Sequence, residues 1–229
     1  MNHLFKTMLL LFISINLSMF SQQSIAEASG DNHLLNIQQQ WAKVNYQLVA
    51  DEQERGFEQL LMQIESLVKR QPENANNLVW LGIIQSSFAG AKGGLGALSL
   101  AKSAKISFEK SLEKSLKIDD KTLQSSAYAS LGTLYHQVPG WPIGFGDDDI
   151  AIAMLEKAIL LNEDGIDSNY FYAKFWFEER KYAKAKKYLM KAQQAPARAT
   201  RPLADESRHK EIHQLMVKVD KKLKKKKKV

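Results

Sequence analysis

Hydrophobic side chains recur every three or four positions along most of this chain, as they do on one face of an α-helix. Leu34, Ile37, Trp41, Val44 and Leu48 form the first such stripe. The same spacing predicts further helices at 57–68, 77–88, 99–118, 123–137, 149–161, 168–180 and 182–194, and a last one that begins near Pro202. No segment alternates polar and apolar residues as a strand would. The pattern therefore predicts an all-α protein.

The predicted helices form pairs, and small residues recur at matching places in each pair. In the last pair, Ala185 follows Ala173 after 12 positions, and Leu189 and Ala192 come 4 and 7 positions later. The two earlier pairs carry Leu131, Gly132, Tyr135, Ala151, Leu155 and Ala158, and Leu81, Gly82, Phe108, Leu112 and Ser115. Small residues let two helices approach closely, and bulky ones fill the space between them. This tetratricopeptide pattern predicts an α-solenoid of helix pairs with a C-terminal capping helix.

The distance between the small residues changes from pair to pair. It is 12 residues in the last pair, 19 from Gly132 to Ala151 and 26 from Gly82 to Phe108. The first two pairs therefore carry 14 and 7 extra residues, in segments that include GAKGGLG at 90–96 and PGWPIGFGD at 139–147. Equivalent turns project from the same face of a solenoid. We expect both insertions to line one edge and to build a binding surface.

The two ends of the chain have a composition of their own. Residues 1–28 have one early lysine, a short apolar run and a small-x-small ending, which predicts a signal peptide cleaved after Ala28 or, as second choice, after Ala26. An uncleaved anchor helix is the alternative. The chain has no cysteine, which excludes lipid attachment at a cysteine, thiolate metal sites and a cysteine nucleophile. We expect a periplasmic protein whose repeat domain spans residues 29–220.

The net charge of +7 comes from the C-terminal end. The last nine residues, 221–229, include seven lysines and no acid, and the rest of the chain has 25 basic and 25 acidic residues. Such a run is typical of a flexible, solvated tail, and a weak contact with acidic lipid headgroups is the functional alternative. The neutral body does not favour nucleic acid as a partner.

Two segments resemble a known family. LGTLYHQVPGWPIGFGDDDIAIAMLEKAILLNEDGIDSNYFYAKF and ADESRHKEIHQL resemble the TatT-like proteins, the periplasmic tetratricopeptide T components associated with some tripartite ATP-independent periplasmic (TRAP) transporters. The resemblance covers residues 75–217 and is strongest from Leu131 to Ala195. It implies an α-helical protein without catalysis, which can form trimers, pairs with the transporter's substrate-binding protein and helps to pass hydrophobic ligands.

Acidic and histidine side chains offer three candidate sites. Asp147, Asp148 and Asp149 are consecutive, unlike the alternating ligands of a calcium loop, so we expect Asp147 or Asp148 to cap the sixth helix. Asp205, His209 and His213 share a helical spacing that could hold zinc, but an exposed polar face is favoured. His136, beside the second insertion, is expected to be a structural hydrogen-bonding residue. We expect no metal and no catalytic residue.

Aromatic residues concentrate in the second insertion and in the seventh helix. The candidate partner-binding residues are Trp141, Pro142, Phe145, Tyr170, Tyr172 and Trp176. The segment NYFYAKFWF is aromatic on more than one helical face, which exceeds the need of one packing stripe. The surplus could pack on the inserted loop, line an apolar groove or form a subunit interface, and these alternatives remain open at the level of sequence.

These observations favour a periplasmic helical-repeat scaffold that binds another protein and can self-assemble. The resemblance makes the substrate-binding protein of a TRAP-type transporter the candidate partner. The alternative function is a carrier that holds a lipid or small hydrophobic ligand in a cavity between helices. An enzyme is not expected, since no nucleophile and base are marked together in the sequence, and no cofactor is expected.

Overall fold

The structure, a computed structural model, describes residues 32–226, and this part of the chain consists of nine α-helices without a strand. The predicted all-α class is therefore confirmed. The predicted signal peptide lies outside the described residues. The helices are α1 (residues 32–47), α2 (Ala50–Arg70), α3 (Ala75–Lys92), α4 (Gly94–Lys117), α5 (Lys121–Gln137), α6 (Asp148–Leu161), α7 (Ile166–Glu178), α8 (Tyr182–Gln193) and α9 (Pro202–Lys226).

Polar side chains fix the starts of three helices. The Asn74 side chain accepts hydrogen bonds from the amides of Asn76 and Asn77 at the start of α3. Asp120 accepts from the Leu123 amide at the start of α5, and Asp147 accepts from the Ile150 amide at the start of α6. These bonds satisfy amides that have no partner within the helix. The N-cap of α6 is thus Asp147, and Asp148 lies in the first turn.

The helices pack as the pairs α3–α4, α5–α6 and α7–α8. A Cβ atom built on Gly82 would lie 2.5 Å from the Phe108 ring, and one built on Gly132 would lie 2.7 Å from Leu155 Cγ. Both contacts are too close for any residue with a side chain. The glycines therefore mark where the two helices of a pair meet.

These contacts correct the repeat register of the first pair. Phe108 packs on Gly82 as Leu155 packs on Gly132, so Phe108 is equivalent to Leu155 and not to Ala151. The fully buried Ala104 takes the place of Ala151. The distance from Gly82 to Ala104 is 22 residues, so the first insertion has 10 extra residues and not 14. The error arose because two sets of residues in α4 have the +4 and +7 spacing: Phe108, Leu112 and Ser115, and Ala104, Phe108 and Ser111.

The first insertion also differs in conformation from the expected loop. The segment 90–96 was predicted as a turn, but α3 continues to Lys92 and α4 already begins at Gly94. Gly93 and Gly94 have positive φ angles of 64° and 59°, which glycine adopts without steric cost. Because these two residues reverse the chain, the extra residues lengthen the two helices instead of forming a long loop.

Three clusters of buried side chains make up the core. The largest combines residues of α1 to α5, and a second joins α7, α8 and α9 through residues such as Leu189 and Ile212. The third, around Leu155 and Phe175, lies between α6 and α7. Ala204, in the first turn of α9, belongs to the cluster of α1 to α5. The start of α9 therefore contacts the N-terminal half of the molecule.

The C-terminal end is more ordered than expected. Residues 221–229 were predicted to be a flexible tail, but α9 continues to Lys226, and residues 227–229 lie outside the described part. Leu223 supplies the physical reason, because its side chain packs against the cluster of α7, α8 and α9. Within residues 32–226, no helix combines the length and the apolar character that a membrane crossing requires.

Candidate partner-binding loop and groove

The loop between α5 and α6, residues 138–147, is closed by backbone hydrogen bonds. The Gly146 amide donates to the Pro139 carbonyl at 3.0 Å, and the Asp147 amide donates to the Tyr135 carbonyl at 2.9 Å. A Cβ on Gly146 would lie 1.8 Å from the Val138 carbonyl oxygen, so only glycine allows this closure. The loop thus has a compact path that its own backbone defines.

Aromatic packing holds one side of the loop and leaves its tip in solvent. Phe145 is half-buried and meets the Tyr135 ring edge to face at 5.4 Å between centroids. Trp141 is 90% exposed, Ile143 is 67% exposed, and Pro142 is exposed as well. Phe145 therefore anchors the loop, whereas Trp141, Pro142 and Ile143 form an apolar surface that we call the loop tip.

The two insertions lie next to each other, as expected. A Cβ built on Gly144 would be 3.4 Å from Leu98 Cδ1, which places the loop against the first turns of α4. Those turns are part of the first insertion, because α4 begins at Gly94. Both departures from the repeat pattern therefore contribute to one edge of the solenoid.

His136 joins the ends of three helices beside this loop. Its Nδ1 lies 2.5 Å from Asp148 Oδ1 on α6, and its Nε2 lies 2.7 Å from Glu178 Oε2 on α7. Burial alone would lower the pKa of His136, but the hydrogen bonds to the two carboxylates outweigh it and raise the pKa above 6.5. The expectation of a structural histidine is met, and the sequence alone could not identify its two partners.

The aromatic residues of α7 lie apart from the loop tip. Tyr170 and Tyr172 are buried, and the Tyr172 hydroxyl donates to Glu156 Oε1 at 3.0 Å. Burial raises the pKa of both tyrosines. Trp176 is half-buried beneath the Lys184 ammonium, 3.7 Å from the ring centroid. The six candidate residues therefore do not form one surface, because Tyr172 packs against α6 and α8 and Tyr170 packs against α9.

The candidate zinc residues of α9 do not come together. Asp205 was expected on an exposed polar face with His209 and His213, but its side chain is buried and accepts from Arg198 Nε at 2.8 Å. His209 bonds the Asp205 backbone carbonyl instead of the carboxylate. His213 is exposed. In the described part of the chain, no three His, Asp or Glu side chains could hold a metal ion.

A groove of about 730 Å³ lies between the helices. Its walls come from α1, from the first helix of each pair (α3, α5 and α7), and from the segment 196–208, which includes the start of α9. The apolar lining includes Trp41, Val79, Trp80, Ile83, Leu134 and Phe171. The volume lies within the range of sites for small organic ligands.

Arginines and carboxylates hold the segment 196–208 across this groove. Asp167 on α7 accepts from Arg198 Nη1 at 2.7 Å and from Arg208 Nε at 2.9 Å. Burial would raise the pKa of Asp167, but the two guanidinium groups lower it far more. Arg201 lies 4.8 Å from the ring centroid of Trp80 on α3. These contacts explain why the start of α9 reaches the N-terminal half.

The sequence left an apolar groove and a cavity between helices open as alternatives, but it did not identify the arginines and carboxylates that line this groove. The sequence feature that could have indicated this charged lining is RATRPLADESR, residues 198–208, which places three arginines around the start of a helix. Their main partner, Asp167, is more than 30 positions earlier, so only the fold brings the charges together. Helical periodicity carries no information on such a distant pairing.

Comparisons with known proteins show the fold. The crystal structure of TTC0263, a thermophilic TPR protein in Thermus thermophilus, is similar with a TM-score of 0.50 and 15% identity, covering 71% of this chain and 79% of that one. Two MamA crystal structures have TM-scores of 0.42 and 0.40 at 22% identity, covering 76% and 75% of this chain and 92% and 85% of theirs. No protein-family model matches, and no curated protein matches either. The protein thus has the fold of a tetratricopeptide-repeat solenoid.

Proposed function

We propose that this protein is a periplasmic helical-repeat scaffold that binds another protein through the loop tip. The observation that carries the proposal is Trp141, which is 90% exposed on a loop that backbone hydrogen bonds hold in place. Exposed tryptophan is unfavourable in water, and tryptophan is among the residues that contribute most to protein–protein interfaces. A protein partner that covers Trp141 and Ile143 would remove this apolar area from solvent.

The loop suits an interface because it is already ordered. Phe145 packs on Tyr135, and the capped start of α6 follows directly after the loop. Binding would therefore cost less conformational entropy than it would with a flexible loop. The neighbouring first turns of α4 extend the same edge and offer further contact area.

The resemblance to TatT-like proteins suggests which partner to test. We propose the substrate-binding protein of a TRAP-type transporter, with trimer formation as an accompanying property. The leader-like residues 1–28 are consistent with export to the periplasm, where such a binding protein works. Neighbouring genes for a TRAP permease would support the link, and their absence would weaken it.

A pull-down from periplasmic extract tests the loop tip. Trp141→Ala should lower the affinity for the captured partner by about ten-fold to one-hundred-fold, which is typical of a central interface tryptophan. Leu160→Ala is the matched control, because Leu160 is a large apolar residue that is 84% exposed at the end of α6, outside the loop.

Two results would contradict the proposal. One is an unchanged partner yield with Trp141→Ala, and the other is an equal loss with Leu160→Ala. Far-UV circular dichroism should show the same helix content for both variants, because each side chain lies in solvent.

A further inference from the structure

Lysines concentrate in α8 and at the end of α9. The segment 181–194 contains five lysines and no acid, and the segment 218–226 contains six lysines and one acid, Asp220. The exposed members of this set are Lys181, Lys184, Lys187, Lys218, Lys221, Lys222, Lys224 and Lys225. The positive charge of the C-terminal end therefore extends beyond the last nine residues and into α8.

The fold brings the two segments together on one surface. Lys186 Nζ on α8 lies 2.7 Å from Asp220 Oδ1 on α9. Leu223 of α9 lines a shallow depression together with residues of α8, among them Met190. Lys224 follows Asp220 by one helical turn, so both lie on the same side of α9. We give the name lysine face to the surface formed by Lys186, Lys187, Met190, Asp220, Leu223 and Lys224.

Few carboxylates neutralise the lysine face. Asp220 is its one acid, and it pairs with Lys186. Lys187 and Lys224 are exposed, and neither forms an ion pair with another residue of the described chain. Like charges on neighbouring positions of a helix repel one another. A surface of negative charge placed against the lysine face would therefore be attracted and would offset this repulsion.

The composition of the lysine face favours a lipid surface over a protein or a nucleic acid. Protein interfaces are depleted in lysine and enriched in arginine and aromatic residues, and nucleic acids are bound largely through arginine and exposed aromatic rings. The segments 181–194 and 218–226 contain no arginine, and their two tyrosines are half-buried. Met190, which is 49% exposed, adds an apolar side chain among the charges. Lysines around an exposed apolar side chain are typical of surfaces that lie on anionic lipid.

We propose that the lysine face binds a membrane surface that contains anionic phospholipid, with the ammonium groups on the lipid phosphates and Met190 at the level of the headgroups. An ammonium group is a compact charge on a flexible stem, so it pairs with any headgroup within reach and needs no shaped pocket. The loop tip is not part of the lysine face, so this inference goes beyond the proposed function. Loss of one activity would leave the other unchanged.

Co-sedimentation of the full chain with lipid vesicles tests the lysine face. The wild type should bind vesicles of phosphatidylglycerol and phosphatidylcholine at least about ten times more tightly than vesicles of phosphatidylcholine alone, and added salt should reduce this preference. The combined variant Lys187→Gln, Lys221→Gln and Lys224→Gln should weaken binding to the anionic vesicles by about one-hundred-fold. The reason is that each lysine near such a surface contributes about five-fold.

The combined variant Lys43→Gln, Lys69→Gln and Lys110→Gln is the matched control. It removes the same charge from exposed positions outside the lysine face, and it should leave binding to the anionic vesicles unchanged. The leader-like residues 1–28 are present in both variants, so they cannot cause a difference between them. Both variants should keep the helix content of the wild type, because all six side chains lie in solvent.

Met190→Ser separates a lipid surface from other polyanions. It should weaken binding to the anionic vesicles by about three-fold to ten-fold, since an apolar side chain is lost, and leave any binding of polyglutamate unchanged. Equal binding of both kinds of vesicle by the wild type would overturn the proposal, as would an equal loss with the two lysine variants. Binding of polyglutamate or of a DNA duplex without binding of anionic vesicles would overturn it too, and would assign the lysine face to an acidic protein or to a nucleic acid.

Discussion

Gly132 shows how much one missing side chain determines in this molecule. Its Cα faces α6 so closely that an added Cβ would lie 2.8 Å from the Ala151 carbonyl oxygen and 2.7 Å from Leu155 Cγ. The backbone oxygen cannot move without shifting α6. Gly82 has a different obstacle, the ring of the buried Phe108. Close pairing of α5 with α6 therefore depends on glycine at position 132.

Gly132→Ala should destabilise the protein by about 1–3 kcal/mol, because the added methyl group overpacks the contact between α5 and α6. Urea unfolding measured by circular dichroism gives the free energy of unfolding. Gly90→Ala is the matched control, since Gly90 is also helical and a Cβ there meets nothing within 4 Å. It should be neutral or stabilise by up to about 1 kcal/mol. Equal effects of the two substitutions would contradict the prediction.

Some of these single-residue roles could be predicted from the sequence and others could not. The spacing of Gly132, Ala151 and Leu155 was sufficient to predict that these residues meet between α5 and α6, because the second insertion is short. The register of Phe108 was misassigned because α4 fits two registers, and only the contact with Gly82 distinguishes them. The burial of Tyr170 and Tyr172 also escaped prediction, since α7 packs against α5, α6, α8 and α9 at once.

At the scale of helices, His136 connects α5 and α6 with α7, which belongs to the next helix pair. Its ring contacts Asp148 at the start of α6 and Glu178 at the end of α7, and it packs on Phe175 at 4.8 Å between centroids. The side chain is mostly buried, whereas both carboxylates are more exposed. The His136 side chain therefore connects the start of α6, directly after the inserted loop, to the end of α7.

This contact predicts a pH dependence of stability. The pKa of His136 is raised on folding, so its contribution is fully present below the unfolded value of 6.5 and is lost as pH rises through the folded pKa. Urea unfolding should show that the wild type exceeds His136→Gln in stability by more at a pH of about 6 than at a pH of about 9. A difference that stays constant over this range would refute the prediction.

Glu178→Gln provides a second measurement on the same contact. It removes one carboxylate partner of His136. In this background, the difference in the free energy of unfolding between His136 and His136→Gln should therefore depend less on pH. Glu179→Gln is the matched control, because Glu179 is the next residue, is exposed and does not contact His136. Equal effects of the two substitutions would argue against a specific role of Glu178.

Helix boundaries were predicted well where a local signal exists. The cap of α6 was predicted as Asp147 or Asp148, and Asp147 is the cap, since this bond joins one side chain to an amide three residues later. The cap of α5 at Asp120 was not predicted. The break between α3 and α4 was predicted as a longer turn, because seven residues with four glycines favour a loop by composition. Tertiary packing instead extends both helices up to Gly93 and Gly94.

At the scale of the whole molecule, the core is divided along the chain. One cluster joins α1 to α5 and includes Ala204 from the start of α9, another joins α7, α8 and the rest of α9, and the small cluster around Leu155 lies between α6 and α7. In a repeat array, stability depends mainly on contacts between neighbours. Damage at one end should therefore remain close to that end.

Ile212→Ala tests this division. Ile212 is 1% exposed in the cluster of α7 to α9, so the truncation should cost about 2–5 kcal/mol. Hydrogen exchange should accelerate in α7, α8 and α9 before it does in α2 and α3. Val217→Ala is the matched control on the same helix, since Val217 is 57% exposed, and it should leave exchange unchanged. Uniform acceleration through all helices would show that the core acts as one unit.

The contact of Arg201 with Trp80 has a consequence for the rate of folding. The two residues are separated by 121 positions, whereas most contacts in a repeat array join residues close in sequence. Bringing such distant residues together costs chain entropy before the contact contributes any stabilisation. Helix pairs can form early from local contacts, but docking of the start of α9 requires that α3 and α7 are already in place. We therefore expect this chain to fold more slowly than an open array of the same helices, which stopped-flow refolding would measure.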